Sequence, residues 1–270
     1  MKKIALTLSC LIVLSAAQCL GKDLAPKTND SLKIFLTKMR KTLDPKDILV
    51  KCSTLKIVYT QKQDNKFLDN VYLYYKKPDC YKLSFNTKDK SSTYGSSFIN
   101  GKFYIYFDGT SGMLNTKKVK SDIDMLKDAY YQTVMEFENL TGKIELSKNS
   151  VTVDGQKCRV LTQKDIDYMP DGIIKYYFNS KNYQLVKLEY THNPNTKIVS
   201  TVVFNNYEYK TINEVKIPVS YKETTLFKNQ PKNNSIVYNK LIKLKLNYNM
   251  ADKEFIYTEK RTKNVTNLFN

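Results

Sequence analysis

Tryptophan is absent from the chain, histidine occurs once, and glycine occurs only eight times in 270 residues. Each scarcity removes a class of chemistry. With one histidine, His192, a histidine-rich metal site is excluded, and any Ser-His-Asp or Cys-His arrangement would depend on that residue alone. It stands in a Thr-His-Asn-Pro-Asn stretch that reads as a turn. So few glycines leave no Gly-x-Gly-x-x-Gly and no Walker sequence, the loops that cradle phosphates in nucleotide enzymes. No Asp-x-Asp-x-Asp-Gly loop points to calcium and no Cys-x-x-Cys pair points to zinc. The lack of indole rings counts against a face for stacking sugars. Paired carboxylates for hydrolysis stay open in principle, but Asp122 and Asp124, like Asp165 and Asp167, read as helix-start or turn charges.

Long apolar runs are also missing, with one exception at the start. Lys2 and Lys3 precede an apolar run over residues 4–14, and Ser15, Ala16 and Ala17 follow. That order is a secretory signal, and the run is too short to span a bilayer, which takes about 20 residues. Residues 1–21 are therefore expected to direct export, with cleavage after Ala17 or after Gly21. Lipid attachment at Cys19 is the alternative, although bulky Gln18 stands where a small residue is usual. Five cysteines, Cys10, Cys19, Cys52, Cys80 and Cys158, are present. Cys10 leaves with the signal, and an odd number remains if Cys19 is lost or lipidated. A bridge between Cys52 and Cys80 and three buried thiols are both compatible with this count.

Acidic residues are scarce relative to basic ones: 26 against 44, a formal net charge of +18 that falls to +16 once Lys2 and Lys3 are removed. Such a balance suits anionic partners. For an exported chain that means an anionic membrane surface rather than nucleic acid. The same balance also follows from a composition rich in Lys and Asn.

What the chain does contain is β-forming sequence. Residues 22–29 read as a polar linker and residues 258–270 as a polar tail around a single domain over 30–257. Leu32, Phe35, Leu36, Met39 and Leu43 recur at helical spacing behind Asp30, which predicts an amphipathic helix over 30–43. Alternating segments rich in Tyr, Val and Ile then predict about ten strands, at 55–61, 70–75, 80–86, 98–107, 151–161, 173–179, 185–191, 198–209, 219–225 and 236–248. Between the fourth and fifth, residues 121–140 return to helical spacing with Ile123, Leu126, Tyr130, Val134 and Phe137. The 21 tyrosines could serve a surface for single-stranded nucleic acid. Tyrosine is equally a good strand former with an apolar body and a wet tip.

The order of these segments resembles the outer-membrane lipoprotein carrier (LolA-like) superfamily, including its lipoprotein-sorting proteins. The resemblance rests on Lys77-Pro78-Asp79-Cys80-Tyr81-Lys82-Leu83, on Asn100-Gly101-Lys102-Phe103-Tyr104 and on Asp154-Gly155-Gln156-Lys157-Cys158. It continues through the hairpin at 174–189, the Tyr-to-Pro edge at 207–218 and the closing stretch 247–255. Glu214 and Val215 depart from it, standing where the family often has Gly. The resemblance implies a mainly β (α+β) fold, an incomplete, strongly curved antiparallel β-barrel with helices covering its concave face. It also implies an exported binding or carrier protein for an acyl chain, lipid or lipoprotein anchor. An envelope-stress sensor of the same fold and a carboxylate-dependent hydrolase are the alternatives.

An open curved sheet must bury apolar side chains on its concave face. The expected ligand surface takes Leu32, Phe35, Leu36 and Met39 from the first helix and Leu126, Tyr130, Val134 and Phe137 from the second. From the strands it takes Phe103, Ile105 and Phe107, then Ile242, Leu244 and Leu246, because Lys and Tyr occupy the opposite faces. No catalytic residue, metal or cofactor is expected. Lipid, acyl chain or lipoprotein is the expected partner of a monomer.

Overall fold

The computed structural model describes residues 30–64, 66–87, 93–107, 110–114, 120–192, 200–227 and 231–255. The expected signal, the linker, the tail and Cys19 lie outside the described residues.

Helix α1 (Asp30–Leu43) buries Leu32, Phe35, Leu36, Met39 and Leu43, the stripe that its spacing predicts. It ends at Asp44-Pro45, where proline cannot continue the hydrogen-bond ladder. The buried Asp44 carboxylate then accepts the N–H groups of Ile48 and Leu49, each at 2.8 Å, and so starts the single-turn α2 (Ile48–Lys51).

Six strands follow as a meander: β1 (Thr54–Gln63), β2 (Lys66–Lys76), β3 (Cys80–Thr87), β4 (Thr93–Ile99), β5 (Lys102–Phe107) and β6 (Thr110–Leu114). Helix α3 (Lys120–Val134) and a 3-10 turn at Phe137–Asn139 interrupt them. The second series is β7 (Lys143–Leu146), β8 (Val151–Val153), β9 (Gln156–Lys164), β10 (Ile173–Asn179), β11 (Leu185–His192), β12 (Ser200–Ile212), β13 (Val215–Phe227) and β14 (Ser235–Leu246). The run at 98–107 divides at Asn100-Gly101 and that at 151–161 at Asp154-Gly155, both with left-handed φ at the two turn residues. This is the geometry a two-residue hairpin requires. At the β12–β13 hairpin, Asn213 and Glu214 adopt φ of 50° and 66°. Here Glu214 takes a turn position that usually favours Gly, and its carboxylate pairs with Lys46 at 2.7 Å. Strands β6 and β7, with five and four residues, are too short to show alternation and escape the sequence reading, as does β4 before Phe98.

All neighbouring strands pair antiparallel in one sheet ordered β6-β5-β4-β3-β2-β1-β14-β13-β12-β11-β10-β9-β7, with β8 beside β7 on the outer edge of β9. It is not one continuous meander. Two meanders are joined where the first strand pairs with the last, Leu55 opposite Leu246 and Ile57 opposite Leu244. Among the described residues the outer strands are therefore β6 at one edge and β7, with β8 beside it, at the other, and α3 lies in the segment that connects β6 to β7. Bulges in the β1 pairings at Val58/Tyr59 and Thr60/Lys62 bend the sheet here. On β4, Gly95 is required by close approach: a Cβ there would stand 2.3 Å from the Leu83 carbonyl oxygen.

One large core lies on the concave side, gathering residues of both meanders around α1 and α3. A second, smaller one lies on the convex side. There the segment after β14 folds back as a strap, and Met250 and Phe255 pack on Tyr74, Cys80 and Ile99. Ser97 Oγ donates to the Phe255 carbonyl at 2.7 Å and Lys82 Nζ donates to the Glu254 carbonyl at 2.8 Å. Cys52, Cys80 and Cys158 are buried free thiols. The considered Cys52–Cys80 bridge does not form because Cys52 belongs to the concave core and Cys80 to the convex one.

Burial under this strap, aided by neighbouring Lys56, lowers the Lys82 pKa to about 8. Between pH 8 and 10.5 the unfolded chain therefore holds more protons at this residue than the native one. The Lys82 contribution to stability must rise with pH across that window. Urea unfolding at pH 8, 9 and 10 should show the wild type gaining on Lys82→Met as pH increases. A constant difference between the two would refute the assignment.

Candidate functional site

The concave face is built from alternate residues of strands that the two helices cover. From α1 come Leu32, Phe35, Leu36 and Met39, and from α3 come Leu126, Tyr130 and Val134, joined by Phe137. All are buried, and all belong to the same core as Phe103 of β5. Ile105, Leu244 and Leu246 are half-buried against it. The described residues of the expected set thus converge, with one exception. Ile242 is 55 % exposed and faces outward. The bulge opposite Val58/Tyr59 shifts the phase of β14, so the inward positions run Leu246, Leu244 and then Leu241. Strict alternation cannot anticipate that slip. Phe107 lies on β5, but its side chain, like that of His192, lies outside the described residues.

Aromatic contacts tie α3 and its 3-10 extension to the sheet. The Tyr130 ring stacks on Tyr75 of β2 with centroids 3.7 Å apart, and meets Tyr81 of β3 edge-on at 5.7 Å. Phe137 packs edge-on against Tyr176 and Phe178 of β10 at 5.1 and 5.4 Å. Burial raises the phenol pKa values of Tyr75, Tyr81, Tyr130 and Tyr176, so these hydroxyls stay protonated.

The opposite flank of α3 is held by polar groups that no sequence periodicity marks. Asp128, 1 % exposed, lies on the sheet-facing side of the helix. Its Oδ1 accepts the Thr141 N–H at 2.9 Å. Its Oδ2 accepts Thr141 Oγ1, Gln163 Nε2 and the Tyr168 hydroxyl, each at 2.8 Å. Gln163 is fully buried, donates also to the Thr141 carbonyl and accepts from the Tyr176 hydroxyl at 2.8 Å. Burial raises the Asp128 pKa despite these four donors. At the N-terminus of α3, Lys120 bridges Asp124 at 3.0 Å and Asp167 at 3.1 Å. Those acidic residues, read as helix-start and turn charges, thus fasten the helix to the β9–β10 connection. Near its other end, Tyr190 of β11 donates to Gln132 at 3.2 Å. Helix α3 therefore straddles both halves of the sheet, aromatic on one flank and hydrogen-bonded on the other.

The concave wall turns polar beyond Tyr59. Buried Gln61 of β1 donates to Asn239 of β14 at 3.0 Å, and Tyr94 donates to buried Asp69 of β2 at 2.6 Å. Asp69 Oδ1 and Asn239 Nδ2 are buried without a hydrogen-bond partner among the described residues, and burial raises the Asp69 pKa. These residues occupy inward positions of otherwise apolar alternation. A polar residue at a core position is the one signal that could have found them. Among the described residues no group of three or more His, Cys, Asp or Glu could hold a metal. No helix among them is long and apolar enough to cross a membrane.

Comparison with known proteins gives a likeness of fold. No family model matches the chain, and no curated protein matches it. Among solved structures, a LolA superfamily protein, NE2245 from Nitrosomonas europaea, aligns at 10 % identity with a TM-score of 0.50, covering 83 % of this chain and 96 % of that one. A DUF1329 family protein from Desulfovibrio piger aligns at 12 % identity and TM-score 0.43, with the same coverage of 83 % and 96 %. A chain of the Pseudomonas aeruginosa MucA/MucB complex aligns at 9 % identity and TM-score 0.21, covering 76 % and 93 %. The first likeness shows that this chain has a LolA-like fold. The other two are too distant to carry an argument.

Proposed function

We propose that this is an exported, non-catalytic binding or carrier protein for a hydrophobic ligand: an acyl chain, a lipid or a lipoprotein anchor. One observation carries the reading. The apolar face of an open half-barrel is covered by α3, in the connection between the two outer edges, and not by a second sheet. The closed state fills the concave face with the side chains of α1 and α3. A ligand would take the place of α3 by lifting it, which gives the aromatic stack and the Asp128 cluster the role of a releasable clasp. The LolA-like fold supports this reading.

Two measurements test it. Protein isolated from an exporting host should carry acyl lipid that organic extraction and mass spectrometry detect in near-stoichiometric amount. The chain has no tryptophan, so Leu244→Trp places the sole indole on the concave wall, beside β1. A brominated fatty acid bound under α3 should quench that fluorescence strongly, and Ile242→Trp on the outward face should be quenched far less. Equal quenching at both positions, with no lipid co-purified, would sink the proposal.

A further inference from the structure

The connection between β7 and β8, strand β9 and the turn after β10 enclose a depression of about 280 Å³ at the edge of the concave face. Three cationic side chains line it, Lys148, Lys157 and Arg159, together with Ser150 and Ser180, and its lining includes no carboxylate. None of the three cations takes part in an ion pair among the described residues. Gathering like charges in one recess is unfavourable unless an anion offsets their repulsion.

Two details make the recess more than a basic surface. Arg159 is held in place: its Nε donates to the Ser147 carbonyl at 3.0 Å, Nη2 donates to the same oxygen, and the guanidinium lies 6.0 Å from the centroid of Phe35. Among the described residues Nη1 has no hydrogen-bond partner, so a planar fork is oriented in advance, the group best suited to phosphate oxygens. The Ser180 hydroxyl oxygen, also in the lining, is buried with no hydrogen-bond partner among the described residues. Phe35 and Tyr183 form the apolar wall, their rings 5.5 Å apart, and Phe35 belongs to the core under α1. The volume suits a headgroup and falls short of the roughly 300–1,000 Å³ of most small-molecule pockets.

We infer that this recess binds a phosphate group, free or as the headgroup of a phospholipid, through Arg159, Lys157, Lys148 and Ser180. The site is separate from the clasp under α3, and the inference does not depend on that helix lifting.

Titration calorimetry at low salt with inorganic phosphate, and in parallel with monomeric dihexanoyl phosphatidate, tests it. Both lysines are exposed, so the Lys148→Gln/Lys157→Gln protein should fold, and it should bind either probe about tenfold or more weakly. Removing two exposed charges elsewhere, Lys240→Gln/Lys243→Gln on β14, should leave binding unchanged. Phosphatidate binding well above phosphate identifies a lipid headgroup as the source, and equal affinity identifies free phosphate. Failure of phosphate to bind, or equal weakening by the control pair, overturns the inference. A phosphate site in a protein whose concave face takes no fatty acid would keep this inference and remove the carrier reading.

Discussion

Asp128→Ala should lose about 2–4 kcal/mol of stability and should admit an acyl probe faster than the wild type. The carboxylate is the shared acceptor of four donors from Thr141, Gln163 and Tyr168. Truncation leaves several of them unsatisfied in a buried place, where each lost partner costs about 1–3 kcal/mol. Gln163 keeps its bond to the Thr141 carbonyl, which limits the damage. The β2–β3 flank of α3 keeps its tyrosine stack, so the helix should loosen from one side and not detach. Stopped-flow uptake of a fluorescent fatty acid would report the loosening, and urea unfolding the stability. A destabilised variant with unchanged uptake would separate the cluster from the clasp. Asp128→Asn preserves shape and one acceptor and should lie between the two. It also exposes a pH dependence. Burial raises the Asp128 pKa above its unfolded value, so its contribution is full below the ordinary carboxylate range and declines as pH rises through the native value. The advantage of wild type over Asp128→Asn should therefore be largest below the ordinary carboxylate range and shrink as pH rises through the raised native value.

Phe255→Ala should cost about 3–5 kcal/mol, the usual range for emptying a buried phenyl site, while leaving acyl uptake by the remaining folded protein unchanged. The ring is fully buried on the convex face, edge-on to Tyr74 with centroids 6.4 Å apart. Its segment pins the strap over β1–β4 through Ser97 and Lys82. Among the described residues that cluster is separate from the core around α1 and α3. The two variants thus separate stability from access: one destabilises and opens, the other only destabilises. Uptake accelerated as much by Phe255→Ala as by Asp128→Ala would mean that loosening anywhere opens the face, and would strip α3 of a special part.

How much of this was legible beforehand differs by element. The stripe of α1 is written in local spacing, because a helix needs only its own residues at three and four apart to define a face. The same holds for α3 and for inward Phe103, Ile105, Leu244 and Leu246, whereas the hairpins at Asn100-Gly101 and Asp154-Gly155 fall inside segments 98–107 and 151–161 that read as single strands. Ile242 was misplaced because a bulge is decided by the partner strand and not by the bulged one. The second core was not foreseen, because residues 247–255 gain their meaning only when Tyr74, Cys80 and Ile99 present a surface to them.

The sequence by itself determined the material of the protein: an alternating, antiparallel, tyrosine-rich chain with two amphipathic helices and a single histidine. Those are properties of composition and short-range period. Only the tertiary structure decided that β1 pairs with β14, which leaves β6 and β7 as edges and makes α3 the span between them. It alone placed Asp128, Gln163 and Tyr168 around one point, and Lys148, Lys157 and Arg159 around another. Residues 35 apart in sequence, such as Asp128 and Gln163, meet because α3 packs against β9. The hydrogen bond or charge repulsion that gives them a role exists only at that distance.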